Sequence, residues 1–176
     1  MGTTSSPVAP PQPITTDRLS IKPLISADAH ALQQLTDNPA ITGAISFLTA
    51  PFMLADAEAL IGCNRGERDC FFGIWKGDGD TLIGLIGAHL RADAEIEVGY
   101  WLGIRWHGQR YATEALGRLA EVLEDRFPER SIIAECRPEN LASWRVLNKS
   151  GFRPTGGSGL RAGRQILALR GASERG

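Results

Sequence analysis

The sequence predicts one α+β or α/β domain in which helices pack against a mixed, mainly antiparallel sheet. Two kinds of segment support this fold class: some alternate apolar and polar residues with period two, and others place apolar residues three and four apart. They follow one another as strand, two helices, three strands, helix, strand, helix, and a closing strand or pair of strands. With 176 residues, of which 43% are hydrophobic, the chain is long enough to enclose one substantial core.

Strands are predicted where apolar side chains alternate with polar ones between Gly, Pro or Asp residues. The predicted strands cover residues 14–24, 70–75, 81–90, 94–103, 131–136 and 165–170. Residues 76–80 contain two glycines and two aspartates, which suits a hairpin turn between the second and third strands.

Helices are predicted where apolar residues recur at helical spacing. The first begins near Ser26, whose hydroxyl can cap it, and ends at Asn38 and Pro39. The others cover residues 53–64, 112–127 and 141–149. Residues 39–51 have no clear period and are predicted to form a partly buried loop or short helical turns.

The N-terminal residues differ in composition from the rest of the chain. Residues 1–13 contain four prolines and several small polar residues, so they are predicted to form a disordered leader. The single domain is predicted to cover residues 14–172.

Charge and composition exclude several classes of function. Nineteen Lys plus Arg against twenty Asp plus Glu give a net charge of −1, which supplies no general field for nucleic acid or an anionic membrane. No apolar run approaches the roughly 20 residues that span a bilayer, and no signal peptide is recognisable, so a cytoplasmic location is expected. The three cysteines form no zinc-binding pattern, and no metal site is expected.

The segment 98–116 runs from a strand through a turn directly into a helix. Such a turn presents unpaired backbone N–H groups, with the helix dipole behind them, to an anion in front. Gly108 would allow a diphosphate to approach the main chain closely, because no β-carbon obstructs it. The segment therefore predicts a cradle for a pyrophosphate.

Three motifs resemble those of the GNAT acetyltransferases, in particular the RimJ and RimL branch, whose familiar members acetylate the N-termini of ribosomal proteins. Residues 16–24 read Thr-Asp-Arg-Leu-Ser-Ile-Lys-Pro-Leu, and residues 143–152 read Ser-Trp-Arg-Val-Leu-Asn-Lys-Ser-Gly-Phe. The acetyl-CoA signature of the family maps onto Arg105, Gly108 and Arg110. Arg110 is a departure, since the family usually has a small residue there; its side chain either obstructs the pyrophosphate or adds a guanidinium contact to a CoA phosphate.

The resemblance implies a binding site for acetyl-CoA as co-substrate. It implies that the strand holding residues 99–102 splays from its neighbour, so that its free backbone groups pair with the pantetheine arm and an N–H stabilises the tetrahedral oxyanion. The cofactor-binding residues implied are Tyr100, Trp101, Leu102, Arg105, Trp106, His107, Gly108, Gln109, Arg110, Tyr111, Ala112, Asn140 and Ser143.

The resemblance also implies direct attack of an amine, with a carboxylate as base and a hydrogen-bond donor for the departing thiolate. Glu97 is the first candidate base and Glu95 the second, although both equally suit solvated strand carboxylates. Ser143 is the candidate donor to the CoA sulfur. Asn140 is a candidate contact to the pantetheine and also a candidate helix N-cap. His30 and His89 have no recognisable partner motif.

Three functional alternatives remain open at the level of sequence. The chain could be an acetyl-CoA-dependent N-acetyltransferase acting on a protein N-terminus, the same enzyme acting on a small amine, or a non-catalytic acyl-CoA sensor of the same fold. The regions that would form the acceptor groove, residues 41–52 and the final hairpin, carry no motif. The oligomeric state is also open, with a homodimer among the alternatives.

Overall fold

The computed structural model describes residues 7–77, 79–91 and 94–169, and these form one eight-stranded mixed sheet covered by helices. The strands are β1 Ile14–Thr15, β2 Leu19–Pro23, β3 Asp69–Lys76, β4 Thr81–Leu90, β5 Glu95–Leu102, β6 Ser131–Cys136, β7 Phe152–Ser158 and β8 Gln165–Leu169. The α-helices are α1 Ala29–Thr36, α2 Pro39–Thr42, α3 Leu54–Gly62, α4 Tyr111–Arg126 and α5 Leu141–Lys149. The fold class predicted from the sequence is confirmed.

The sheet has the strand order β1-β2-β3-β4-β5-β6-β8-β7. Neighbouring strands are antiparallel except β5 and β6, which are parallel. A parallel pair needs a long crossover connection, and here α4 provides it. The cradle segment predicted from the sequence is the beginning of this crossover.

The two parallel strands pair over only three residues and then separate. Their register runs from Glu95 opposite Ser131 to Glu97 opposite Ile133, although β5 continues to Leu102. From Ile133 onward, β6 pairs with β8 on its other side. The splayed strand pair that the family resemblance implies is therefore present, and it opens immediately after Glu97.

The alternation of side chains along the strands divides the core into two clusters. Ile86 on β4 packs in the cluster that contains Leu119 of α4, whereas its neighbour Leu85 packs in the cluster that contains Leu32 of α1 and Ala57 of α3. All of these side chains are at most 1% exposed. Because period-two strands present opposite faces to different helices, one sheet supports two apolar layers.

One predicted element differs from the structure, and two predictions that left alternatives open are decided by it. The predicted first strand is split into β1 and β2, because Thr16 turns the chain: its N–H donates to the Leu19 oxygen and its hydroxyl accepts from the Leu19 N–H, both at 2.9 Å. The segment 39–51 contains the one-turn helix α2, capped by Asn38. The chain closes with a pair of strands. Asp78 of the predicted hairpin and residues 170–172 of the predicted domain lie outside the described residues.

The predicted leader falls partly outside the described residues, namely at positions 1–6. Within residues 7–13 the structure differs from the prediction, because Val8 is 1% exposed in the core and its N–H donates to the Glu67 oxygen at 3.0 Å. Arg126 Nη2 donates to the Pro7 oxygen at 2.8 Å. One buried valine and two main-chain contacts therefore attach this segment to the domain.

Replacing Val8 with alanine should lower the free energy of unfolding by about 1–2 kcal/mol, because buried methyl groups are removed from the core. The measurement is urea denaturation of Val8→Ala beside Gln12→Ala, whose side chain is exposed in the same segment. Equal stabilities for the two variants would contradict the packing of this segment.

Candidate active site

A cleft of about 340 Å³ opens on the sheet where the β5–β6 pairing ends. Strands β4, β5 and β6, the loop after α2, the start of α5 and the connection between β7 and β8 supply its walls. Its polar and charged lining includes His89, Arg91, Glu97, Tyr100, Glu135, Arg137, Asn140, Ser143, Arg161 and Arg164. The fold thus brings the predicted residues Glu97, Tyr100, Asn140 and Ser143 to one place.

The predicted pyrophosphate cradle lies between the end of β5 and α4. A short 3-10 turn, Ile104–Trp106, leads to Gly108, which has a φ of +75° and no atom within 4 Å of a β-carbon placed on it. Glu114 makes the first hydrogen bond of the helix, its N–H donating to the Arg110 oxygen at 3.0 Å. The N–H groups of residues 111–113 precede that bond, so they are available to an anion.

Arg110 occupies a left-handed backbone conformation, with φ +66° and ψ 9°, immediately before α4. A non-glycine residue in this conformation costs about 1–2 kcal/mol because of its β-carbon, so glycine is the residue that suits this backbone best. The side chain itself is exposed. Arginine at this position of the family signature therefore adds backbone strain as well as a larger side chain.

A cluster of polar contacts joins the β1–β2 turn to the first turn of α4. The Thr16 hydroxyl donates to Glu114 Oε1 at 2.5 Å, and Arg18 Nη2 lies 2.5 Å from Glu114 Oε2. Arg18 also donates to the Gln109 oxygen at 3.2 Å and lies over the Tyr111 ring, 4.4 Å from its centre. Partial burial raises the pKa of Glu114, but the bonds from Thr16 and Arg18 outweigh it and the pKa falls below its usual value. Glu114 therefore supports the cradle and does not line the cleft.

Ser143 lies at the beginning of α5 and contacts Tyr100 of β5. The two hydroxyl oxygens are 3.0 Å apart, and Asn140 Oδ1 accepts the Ser143 N–H at 3.2 Å as the helix N-cap. Burial raises the pKa of Tyr100. Because Tyr100 keeps its proton and can donate it to Ser143 Oγ, the Ser143 proton is free to point elsewhere.

Glu97 is a buried carboxylate held by two arginines. It is 6% exposed; Arg91 Nε donates to Oε2 at 2.8 Å and Arg161 Nη1 donates to Oε1 at 2.6 Å. Burial raises its pKa, but the hydrogen bonds and charges of Arg161 and Arg91 outweigh this effect, so the pKa lies below the usual value. Both oxygens already accept hydrogen bonds, which weakens Glu97 as a candidate base.

Glu95, the second predicted base, lies on the same strand face as Glu97 but does not line the cleft. Its strand position pairs with Ser131, at the closed end of the β5–β6 register, and its main-chain oxygen accepts the Arg91 N–H at 2.8 Å. The structure therefore separates the two carboxylates that the sequence presented as alternatives.

His89 is a cleft residue that sequence reasoning missed. It lies on β4 directly opposite Glu97 on β5, and its Nδ1 is 2.8 Å from Asp69 Oδ1 on β3. Its ring packs edge-on against Phe71. Leu85, Gly87 and His89 share one face of β4, so the period of that strand could have shown that His89 lies on the cleft face. Its partner Asp69 could not be recognised from the sequence, because it lies on a different strand.

The remaining predicted cofactor residues occupy the cradle or the wall between cradle and cleft. Trp101 is buried, lines the cleft and donates its indole N–H to Thr36 Oγ1 at 3.1 Å. His107 Nε2 is 3.1 Å from the Leu102 oxygen, and Gln109 Nε2 donates to the Arg105 oxygen at 3.1 Å. Trp106 packs edge-on against Tyr111, and Ala112 is buried in the first turn of α4. These contacts hold the turn around Gly108, where no side chain fills the space.

Comparison with known proteins agrees with the fold and the motifs. The model of the acetyltransferase (GNAT) domain family matches residues 18–153. The uncharacterized N-acetyltransferase YnaD of Bacillus subtilis is 30% identical over 144 residues, which cover 81% of this chain and 84% of that protein. The chain belongs to the GNAT acetyltransferase family. It is accordingly an acetyltransferase, as the sequence predicted.

Solved structures of the same fold include two with CoA-derived groups. Mycobacterium smegmatis RimJ in complex with CoA-disulfide has a TM-score of 0.78 and 21% identity, covering 97% of this chain and 92% of that one. AAC(6')-Ib in complex with ribostamycin and coenzyme A has a TM-score of 0.76 and 20% identity, covering 90% of this chain and 97% of that one. At these sequence identities the similarity shows a shared fold only.

The described residues contain neither a metal-binding cluster nor a membrane-spanning helix. No group of three or more His, Cys, Asp or Glu side chains within residues 7–77, 79–91 and 94–169 is arranged to hold a metal ion. In the same part of the chain, no helix is long and apolar enough to cross a membrane.

Replacing Arg110 with glycine should raise the free energy of unfolding by about 1 kcal/mol, because glycine adopts a positive φ without a steric penalty. Arg110→Ala is the matched control, since it removes the guanidinium but keeps the β-carbon. Chemical denaturation of both variants measures the difference. A stability of Arg110→Gly no higher than that of Arg110→Ala would show that the left-handed conformation is not retained.

Proposed function

We propose that the protein transfers the acetyl group of acetyl-CoA to a primary amine by direct attack, with both substrates bound together. The observation that carries this proposal is the opening between β5 and β6, which connects the cradle before α4 with the cleft that contains Ser143. Acetyl-CoA supplies a thioester whose carbonyl carbon an amine can attack. No covalent enzyme intermediate is required.

The residues of the cradle suit the diphosphate of CoA. The N–H groups of residues 111–113 and the positive end of the 16-residue helix α4 favour an anion, and the open space at Gly108 admits it. The edge of β5 beyond Glu97 has no partner on β6, so its backbone groups can pair with the pantetheine amides. A β5 N–H in the same opening can stabilise negative charge on the thioester oxygen.

Ser143 is proposed to donate a hydrogen bond to the departing sulfur. Its oxygen can accept the proton of Tyr100, which leaves its own hydroxyl proton for another acceptor. The Asn140 cap fixes the first turn of α5 and hence the position of Ser143. Asn140 is also proposed to contact the pantetheine, since it lines the cleft.

Acetyl-CoA should stabilise the wild-type protein and fail to stabilise a Gly108→Glu variant, because the new side chain would fill the cradle with negative charge. At about 100 times the dissociation constant, the gain should be roughly 2.7 kcal/mol, or a few degrees in thermal unfolding. The control is Gly156→Glu, at a glycine that also has a positive φ (+82°) and open surroundings but lies on β7. A loss of the shift in both variants, or in neither, would count against the cradle.

A turnover measurement distinguishes an acetyltransferase from a non-catalytic acyl-CoA sensor, the alternative that the sequence left open. A protein that only sensed acetyl-CoA would show the thermal shift without release of free CoA thiol in the presence of amines. Thiol release measured with a panel of peptide and small-molecule amines decides between them.

The proposed acceptor is an amine with a negatively charged group nearby. Four arginines and two glutamates line the cleft, which leaves two positive charges in excess. Arg161 is paired with Glu97 and Glu135, whereas Arg137 and Arg164 have no carboxylate within salt-bridge distance in the described part of the chain. A polycationic acceptor, such as the substrate of the aminoglycoside acetyltransferase AAC(6')-Ib, which shares this fold, would be repelled here.

Peptides with an acidic residue after the N-terminal amine should be acetylated with a higher kcat/KM than matched peptides with a basic residue. One favourable charge contact of about 1 kcal/mol corresponds to roughly a fivefold preference. Arg164→Gln should reduce the preference, and Arg145→Gln, an exposed residue of α5 outside the cleft, should leave it unchanged. A preference for basic peptides or for polyamines would exclude the anionic acceptor.

A further inference from the structure

We propose that His89, oriented by Asp69, removes the proton from the acceptor amine. This role rests on the proposed acetyl transfer and names a catalytic residue that neither the family motifs nor the comparisons supply. Four observations carry it: the place of His89 in the cleft, the direction of its hydrogen bond with Asp69, the space above Gly87, and the two arginines that already bind Glu97, the carboxylate opposite His89 on β5.

His89 lies beside the point where acetyl transfer is proposed to occur. Its strand position faces Glu97, the last residue of β5 that pairs with β6. Directly beyond this pair, Gly87 of β4 faces Gly99 of β5, on the part of β5 whose edge is free of β6. The His89 side chain lines the cleft at this mouth.

The contact with Asp69 decides which ring nitrogen can act as a base. The Asp69 carboxylate is an acceptor, so His89 Nδ1 must carry the hydrogen in the 2.8 Å bond between them. In the neutral ring Nε2 is then the nitrogen with the free lone pair. Asp69 is therefore a positioning residue, because it selects the tautomer and holds the ring.

Gly87 provides the space in which Nε2 lies. A β-carbon added at Gly87 would be 2.7 Å from His89 Nε2, which is closer than such atoms approach one another. The basic nitrogen thus lies over a strand position that has no side chain. In the described residues no hydrogen-bond partner of Nε2 is found, so the lone pair is free for a substrate proton.

Burial of the ring favours its neutral form. Burial lowers the pKa of His89, Asp69 raises it through a hydrogen bond and its charge, Arg91 lowers it and Glu97 raises it, and the net effect is a pKa below the usual value. Glu97 is a poorer base than His89, because both of its carboxylate oxygens already accept hydrogen bonds from Arg91 and Arg161.

The proposed step balances atoms and charge. The amine nitrogen forms the new N–C bond and loses one proton to His89 Nε2, and the C–S bond breaks with its electron pair going to sulfur. The sulfur leaves as the CoA thiolate, stabilised by the hydrogen bond from Ser143, and takes one proton from solvent to become the CoA thiol, which balances the proton that the imidazolium releases. Deprotonation of the imidazolium by solvent restores the neutral ring.

The test compares His89→Gln with His30→Gln, a histidine exposed on α1. His89→Gln should lower kcat by about 10²–10⁴-fold while the thermal shift with acetyl-CoA is retained, and His30→Gln should change neither. In the wild type, kcat/KM should rise with pH through a midpoint below 6.5, because the base must be deprotonated, and this rise should be absent from His89→Gln. Asp69→Asn should move the midpoint to lower pH, since a stabilising charge is lost.

A second readout needs no acceptor. Nitrogen-15 NMR of the imidazole should show His89 protonated on Nδ1 at neutral pH, and Asp69→Asn should alter this tautomer. A proton on Nε2, or turnover by His89→Gln within a few fold of the wild type, would overturn the role of His89 alone. An acetyl-CoA shift without turnover of any amine by the wild type would overturn the proposed reaction together with it, whatever the tautomer.

Discussion

The pairing between β5 and β6 ends at Glu97, and the way this end is held determines the rest of the site. A carboxylate that is 6% exposed must have partners, because an unpaired buried charge costs several kcal/mol. Arg91 reaches it from the connection after β4, and Arg161 reaches it from the connection between β7 and β8 while also binding Glu135 of β6. The ion pairs therefore fix both sides of the opening just where the two strands diverge. Beyond that point the strands are free to accept another extended chain between them.

The opposite end of the opening is held by a different set of contacts. Arg110 adopts a strained backbone conformation, and the turn before it persists because Arg18 and Thr16 bind Glu114 and because Arg18 also reaches the Gln109 oxygen. Local strain of this kind is retained only when surrounding contacts over-determine the backbone. Cradle and cleft are thus each anchored to the same sheet, which keeps the distance between them constant. A ligand that must contact both needs such a fixed separation.

Local patterns in the sequence predicted most elements, since period and turn residues act over a few neighbours. The strand, turn and helix around Gly108 were predicted correctly because they are consecutive in the chain. Contacts between distant segments were not visible: Asp69 meets His89 only through the β3–β4 register, and Arg161 meets Glu97 across 64 residues. For the same reason the sequence offered Glu97 as a candidate base or a solvated carboxylate without showing its two arginines, and it placed Val8 in a leader without showing its burial. Both points concern what a side chain contacts, which periodicity does not encode.

The charges of the cleft bear on the acceptor as well as on the base. With Glu97 neutralised by two arginines and His89 uncharged, the excess positive charge of Arg137 and Arg164 would oppose the ammonium form of the proposed amine acceptor and lower its pKa. A nearby anionic group on the acceptor would bind those arginines and offset the repulsion, while the amine itself would lie beside a neutral imidazole. The ion pairs at Glu97 thus do two things at once. They fix the end of the β5–β6 pairing, and they neutralise a buried carboxylate that would otherwise stabilise the unreactive ammonium ion.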